Sequence, residues 1–119
     1  LDSKRLQRVN QLLQEELADI FRIEANKIKQ GLLISVTEVR TVQDLSIAKI
    51  FISVFPTQYR NSMMNAIHEN VPYYRKKLGE RIGKQMRIVP ELHFFTDDSL
   101  DRVDTIEREL KGQGNNPEL

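Results

Sequence analysis

Six basic side chains, Arg75, Lys76, Lys77, Arg81, Lys84 and Arg87, fall within the segment YYRKKLGERIGKQMR (73–87), where Glu80 is the one carboxylate. The 119-residue chain around them carries a formal net charge of only +1. The block is therefore a local positive field on a near-neutral molecule, and such fields select phosphate backbones or anionic surfaces. Each of the six can neutralise one phosphate, which would make binding fall steeply with salt. Lys4, Arg5 and Arg8 form a second, smaller basic set, and Tyr73 offers a ring on which a base or ribose can stack. The counterweight is acidic: Asp97, Asp98, Asp101, Asp104, Glu107 and Glu109 stand against Arg102, Arg108 and Lys111. The competing reading is that both segments are solvated helix faces, since 29% charged residues is close to the average for a soluble domain.

Other chemistries have little to stand on. The chain has no cysteine, which removes disulfides, thiol nucleophiles and thiolate metal sites together. Its two histidines, His68 and His93, fall on different elements and lack the partners that a triad or a zinc site requires. No phosphate-binding glycine loop or nucleophile elbow is present. Asp97 is suited to ordering a turn through its side chain rather than to binding a metal. Glu91 reads as an inward or edge carboxylate paired to Arg87 or Lys49. No apolar run approaches the roughly 18 residues needed to cross a bilayer.

One domain with one core suffices for this length. Leu6, Val9, Leu13, Leu17 and Ile20 recur at helical steps, with Leu12 and Phe21 widening the stripe, so a helix is expected from Ser3 to about Arg22 with Asp2 or Ser3 as its cap. Over 23–31 the period is lost, and Gly31 marks a turn. Two strands follow, 33–39 and 47–55, joined by a polar hairpin connection. In the second strand Ala48, Ile50, Ile52 and Val54 share one face, while Lys49, Phe51, Ser53 and Phe55 share the other, which is expected to be partly open to solvent. A helix over 59–70 should break at Val71, with Pro72 in the first turn of the next. That helix buries Tyr74, Leu78 and Ile82, leaves the basic residues outward and ends near Gly83. A last strand is expected over 87–95, with Pro90 at its edge or bulged start. The chain divides at 96/97 into a sheet-and-helix domain (1–96) and an acidic, helical or disordered tail (97–119). Two helices between the second and third strands should set those strands in opposite directions, giving a mixed sheet if the third pairs with the first.

This α+β order, helix-strand-strand-helix-(break)-helix-strand with a three-stranded mixed sheet covered by helices on one face, is similar to a type II KH domain. The string RIVPELHFFTDDS (87–99) further resembles the hallmark end of the bacterial ribosome-binding factor A family, as do RVNQLLQEELADIF, DLSIAKIFISVF and YYRKKLG, in the right order over roughly residues 3–100. The resemblance implies a non-enzymatic assembly factor that binds the immature small (30S) ribosomal subunit. It would contact 16S RNA near the decoding region during late maturation, especially in the cold. It also implies no cofactor, no metal and no membrane, a monomer, and a cytoplasmic location or its organellar equivalent. Ribosomal proteins or other assembly factors are further partners it allows. Arg75 to Arg87 then become the RNA-facing set, and Lys76, Lys77 and Arg81 should tolerate reversal to Glu without loss of fold. The family's A-x-G kink falls on Asn70, Val71 and Pro72, which lack its small Ala and flexible Gly, so side chains rather than that backbone should meet phosphate. Two alternatives stay open from the residues: a protein-binding scaffold acting through the acidic tail and helix faces, and a small enzyme with a sandwich fold.

Overall fold

The structure, a computed structural model, describes residues 3–99. The expected cap at Asp2 and the tail beyond residue 99 lie outside the described residues. Helix α1 (Ser3–Ile28) is followed by strands β1 (Leu33–Thr41) and β2 (Ile47–Phe55), a 3₁₀ turn (Thr57–Tyr59), helices α2 (Arg60–Glu69) and α3 (Val71–Ile82), strand β3 (Glu91–Thr96) and a 3₁₀ turn at Asp97–Ser99. The element order and class are those the sequence implies.

Helix α1 runs six residues past its expected end at Arg22. The apolar period does fade there, but Glu24, Ala25 and Lys27 are strong helix formers, and Ala25 is buried. The helix ends at Ile28 and the chain turns at Gly31, whose φ of +87° suits a residue without a Cβ. Asn10 and Gln14 on α1 fasten it to the sheet: Asn10 Oδ1 accepts from Thr41 N at 2.9 Å, and Gln14 Nε2 donates to Val36 O at 3.0 Å. The second bond sits at a register shift between Val36 and Glu38, where a bulge leaves a carbonyl without its ladder partner.

Strand β2 is central, antiparallel to β1 and parallel to β3. The sheet is mixed as expected, but β3 neither opposes β2 nor pairs with β1. Residues 83–90 add a further pass after α3, returning the chain to the start of β2, where Glu91 N donates to Ser46 O at 2.9 Å. Counting the two helices alone missed that pass. It also displaces the expected strand start, since 87–90 is not strand and Pro90, which has no amide to donate, lies buried before Glu91.

One face of the sheet, with Ile34, Val36, Val39, Ala48, Ile50, Ile52, Val54, Leu92 and Phe94, meets α1, α2 and α3 in a single core. Its centre is a cluster of three rings. Phe21 of α1 lies 4.8 Å from Tyr74 of α3 and 5.8 Å from Phe94 of β3, and Tyr74 lies 6.1 Å from Phe94. Such tilted and edge-on pairs add about 0.5–1.5 kcal/mol each beyond the area they bury. On the opposite face Leu33 and Phe55 are exposed, but Phe51 is fully buried, contrary to an open face at that position. The Phe95 ring stacks on it at 5.5 Å and the Arg40 guanidinium lies 5.6 Å from its centroid.

Helix α3 is also held to α1 by charge. Arg81 Nη1 lies 2.7 Å from Asp19 Oδ2 and 3.2 Å from Glu16 Oε1. Hydrogen bonds from Arg22 first, and from Arg81 second, hold the Asp19 carboxyl below its ordinary range.

Two outcomes follow for stability. Phe94→Ala should cost about 3–5 kcal/mol in urea unfolding, and a loss below about 1 kcal/mol would contradict the ring cluster as the centre of the core. Because the folded Asp19 pKa is depressed, its contribution is complete above the unfolded value near 3.9 and lost as pH falls through the folded value. Thermal melts between pH 6 and pH 2 should therefore show a shallower acid loss in Asp19→Asn than in the wild type. Identical pH profiles would contradict it.

Candidate nucleic-acid interface

Burial of Tyr74, Leu78 and Ile82 fixes the roll of α3, and that roll divides the basic block in two. Residues one position after the buried stripe fall on one flank and those one position before it fall on the other. Tyr73, Lys77 and Arg81 face α1. Tyr73 Oη donates to Glu24 Oε2 at 2.8 Å, which raises the phenol's pKa, and the Lys77 ammonium lies 5.6 Å from the Tyr73 ring centroid. Lys77 also approaches Glu80 at 4.0 Å. With Arg81 on Glu16 and Asp19, this flank is largely neutralised by carboxylates of α1 and α3. The triple reversal of Lys76, Lys77 and Arg81 is thus not neutral to the fold, because Glu at 81 would stand against two carboxylates.

The other flank carries Arg75 and Lys76 and borders a groove of about 590 Å³ between α3 and the 87–92 segment. Arg75 spends its guanidinium on backbone, donating from Nη2 to Val89 O at 2.6 Å and from Nε to Pro90 O at 3.1 Å. It thereby holds the connection that Gly79 lets approach, since a Cβ at Gly79 would stand 3.2 Å from Val89 Cγ2. Lys76 and Arg87 line the groove. Arg5, Arg8, Lys76, Lys84 and Arg87 are exposed, and no ion pair joins any of them to a carboxylate of the described residues. Lys4 is exposed but has other contacts.

The helix break stands at Asn70, one residue before the expected Val71, which already belongs to α3. Asn70 Nδ2 donates to Ala66 O at 2.7 Å, Asn70 N donates to Ile67 O, and Asn70 O accepts from Tyr74 N. A hydrogen-bonded Asn and a proline at the second helical position make the break here, and Pro72 withholds one of the amides a helix start would otherwise present.

His68, Glu91 and Asp98 have structural partners. His68 Nε2 donates to Phe94 O at 2.8 Å. Glu91 meets His93 at 3.2 Å rather than Arg87 or Lys49. Asp98 accepts from Thr96 and from Arg60 at the terminal turn. Among the described residues no cluster of three His, Asp or Glu could hold a metal, and no helix is long and apolar enough to cross a membrane. Sequence reading overlooked Glu16 and Glu24 as the partners that absorb Arg81 and Tyr73. Their only local signal is an acidic flank on α1, because the pairing is made by tertiary packing.

Comparisons with known proteins bear on the family and the fold. The family described as "Ribosome-binding factor A" matches residues 5–110. The ribosome-binding factor A of Christiangramia forsetii is 37% identical over 122 aligned positions, covering 99% of this chain and 93% of that protein. The crystal structure of ribosome-binding factor A from Thermus thermophilus superposes with a TM-score of 0.62 at 22% identity, over 78% of this chain and 97% of that one. Coordinates of the Thermus thermophilus factor fitted into a cryo-EM map of its complex with the 30S subunit give a TM-score of 0.51 at 24% identity, over 71% and 86%. At such identities the two structures speak for the fold alone. The match across nearly the whole sequence, with the hallmark string at 87–99, shows that the chain belongs to the ribosome-binding factor A family.

Proposed function

We propose that this protein is a non-enzymatic assembly factor that acts as a cytoplasmic monomer, binding the immature 30S subunit and its 16S RNA in late maturation. The observation that carries the reading is a set of exposed cations: Lys76, Lys84 and Arg87, with Arg5 and Arg8, stand without carboxylate partners among the described residues, and Arg87 borders a cavity with Lys76 and another with Arg5. An uncompensated basic surface over an otherwise balanced protein favours a polyanion. The family relationship supports the choice of polyanion, and the Thermus relative is described in a complex with the 30S subunit. The greater need for the factor in the cold, implied by the sequence resemblance, belongs to the same proposal.

The neutralised flank is a poorer phosphate surface, because a phosphate arriving at Arg81 must displace Asp19 and Glu16. Lys76, Lys84 and Arg87 are therefore the contacts we assign first. Arg75 positions the groove through Val89 and Pro90, and Tyr73 packs against α1 through Glu24.

Reversing Lys76, Lys84 and Arg87 together to Glu should leave the melting temperature within a few degrees of wild type, since none sits in the core or in an ion pair with a described residue. Co-sedimentation with immature small subunits should be lost. A milder Lys76→Ala, Lys84→Ala, Arg87→Ala variant should lower the magnitude of the log affinity against log salt slope by about 2. Retained sedimentation of the Glu variant would contradict the assignment. Binding that survives ribonuclease but is lost on removing residues 97–119 would favour the protein-scaffold reading instead.

A further inference from the structure

A second cavity, of about 410 Å³, opens beside the basic groove, where the start of α1, the β1–β2 turn and the 85–88 connection meet. We infer that it receives one unstacked nucleobase of single-stranded RNA, an assignment that rests on the RNA-binding reading above. Its volume lies within the range of small-molecule sites, which pair an apolar lining with a few placed polar groups. Val9, Leu45, Met86 and Ile88 supply the apolar lining, and Arg5 and Arg87 border the same space. Ile88 is 73% exposed. An exposed aliphatic side chain in a cavity that two arginines also line suits a planar, partly apolar ligand that carries phosphates, and a nucleotide within a strand has that form.

The β1–β2 turn is shaped for this position. Val42 N donates to Ile47 O, Leu45 N donates to Val42 O, and Asp44 Oδ1 accepts from both Ser46 N and Ser46 Oγ. This bonding holds Leu45 at a φ of 65°, a region that costs a residue with a Cβ energy and that Gly occupies freely. A strained leucine stands where glycine would fit the turn better, and its side chain lines the cavity. Asp44 is the carboxylate on the cavity wall. Both Ser46 bonds fall on Oδ1, leaving Oδ2 outside them. A carboxylate is acceptor-only, so it selects a base that presents donors. Guanine, with adjacent N1–H and N2–H₂ donors on its Watson–Crick edge, fits best. The cavity also joins the two basic sets that are far apart in sequence, since Arg5 belongs to one and Arg87, which borders the groove as well, to the other.

The test uses the full chain and single-stranded RNA hexamers, read by NMR shifts of the Leu45, Met86 and Ile88 methyl groups. A hexamer with a central guanine should move all three methyls, and an abasic residue at that position should weaken binding about tenfold. Uracil there should lie between the two. Leu45→Gly combined with Ile88→Ser should remove the difference between guanine and abasic hexamers while leaving salt-sensitive binding through Lys76. Asp44→Asn, which keeps the Oδ1 acceptor for Ser46, should remove the preference for guanine over uracil. Equal binding of intact and abasic hexamers, or shifts confined to the Lys76 and Lys84 surface, would overturn the base site while leaving RNA binding intact. Methyl shifts produced by small-subunit proteins and by no RNA would overturn both the site and the reading on which it rests.

Discussion

The packing of Phe21, Tyr74 and Phe94 is the constraint on which the rest of the molecule depends. These rings come from α1, α3 and β3, and they meet at centroid separations of 4.8–6.1 Å. Tyr74 cannot leave the core without unpacking the other two, so the roll of α3 about its own axis is set. Every basic side chain on that helix inherits its direction from this one burial. Helix packing at native density allows few alternative rotations, because interdigitated side chains resist small shifts.

From that roll follows a division of labour within a single run of charge. Arg81, Lys77 and Tyr73 turn toward α1 and are met by Asp19, Glu16, Glu24 and Glu80, where they tie elements together. Lys76 and Arg87 turn toward the groove, Lys84 lies beyond the helix end, and all three remain exposed. Arg75 belongs to neither group, because its guanidinium is committed to the carbonyls of Val89 and Pro90. The path of the 83–90 connection matters equally: it brings β3 parallel to β2, seats Val89 on Gly79 and places Arg87 between the two cavities. Fold and surface are therefore one problem, since the same return segment that pairs the sheet also lines both cavities.

Much of this was legible in the sequence because it is periodic. The stripes of α1 and α3, the alternation of β2 and the proline in the first turn of the last helix each announce an element through local rules. The family string at 87–99 made the class explicit. What local rules miss is pairing between distant segments. Nothing near Arg81 states that Asp19 and Glu16 will face it, and the parallel placement of β3 depends on a connection without periodicity. Helix α1 exceeded its apolar stripe because propensity and the Tyr73–Glu24 contact sustain its last turns. Phe51 was placed on the correct face of β2, but its burial comes with Phe95 and Arg40 on neighbouring strands. Ile88 and Leu45 could not be singled out, since an exposed isoleucine and a strained turn leucine become conspicuous only in three dimensions.

The central claim is that an uncompensated cationic face, set by the packing of α3, holds the RNA of an immature small subunit. Sucrose-gradient binding of the intact protein to immature and mature small subunits, each at about 50 and 200 mM salt, tests it most directly. The account predicts preferential binding to immature subunits and a loss of at least tenfold in affinity for them at the higher salt, as displacement of several phosphate counterions requires. Equal binding to both subunits, or an affinity that does not change with salt, would contradict it.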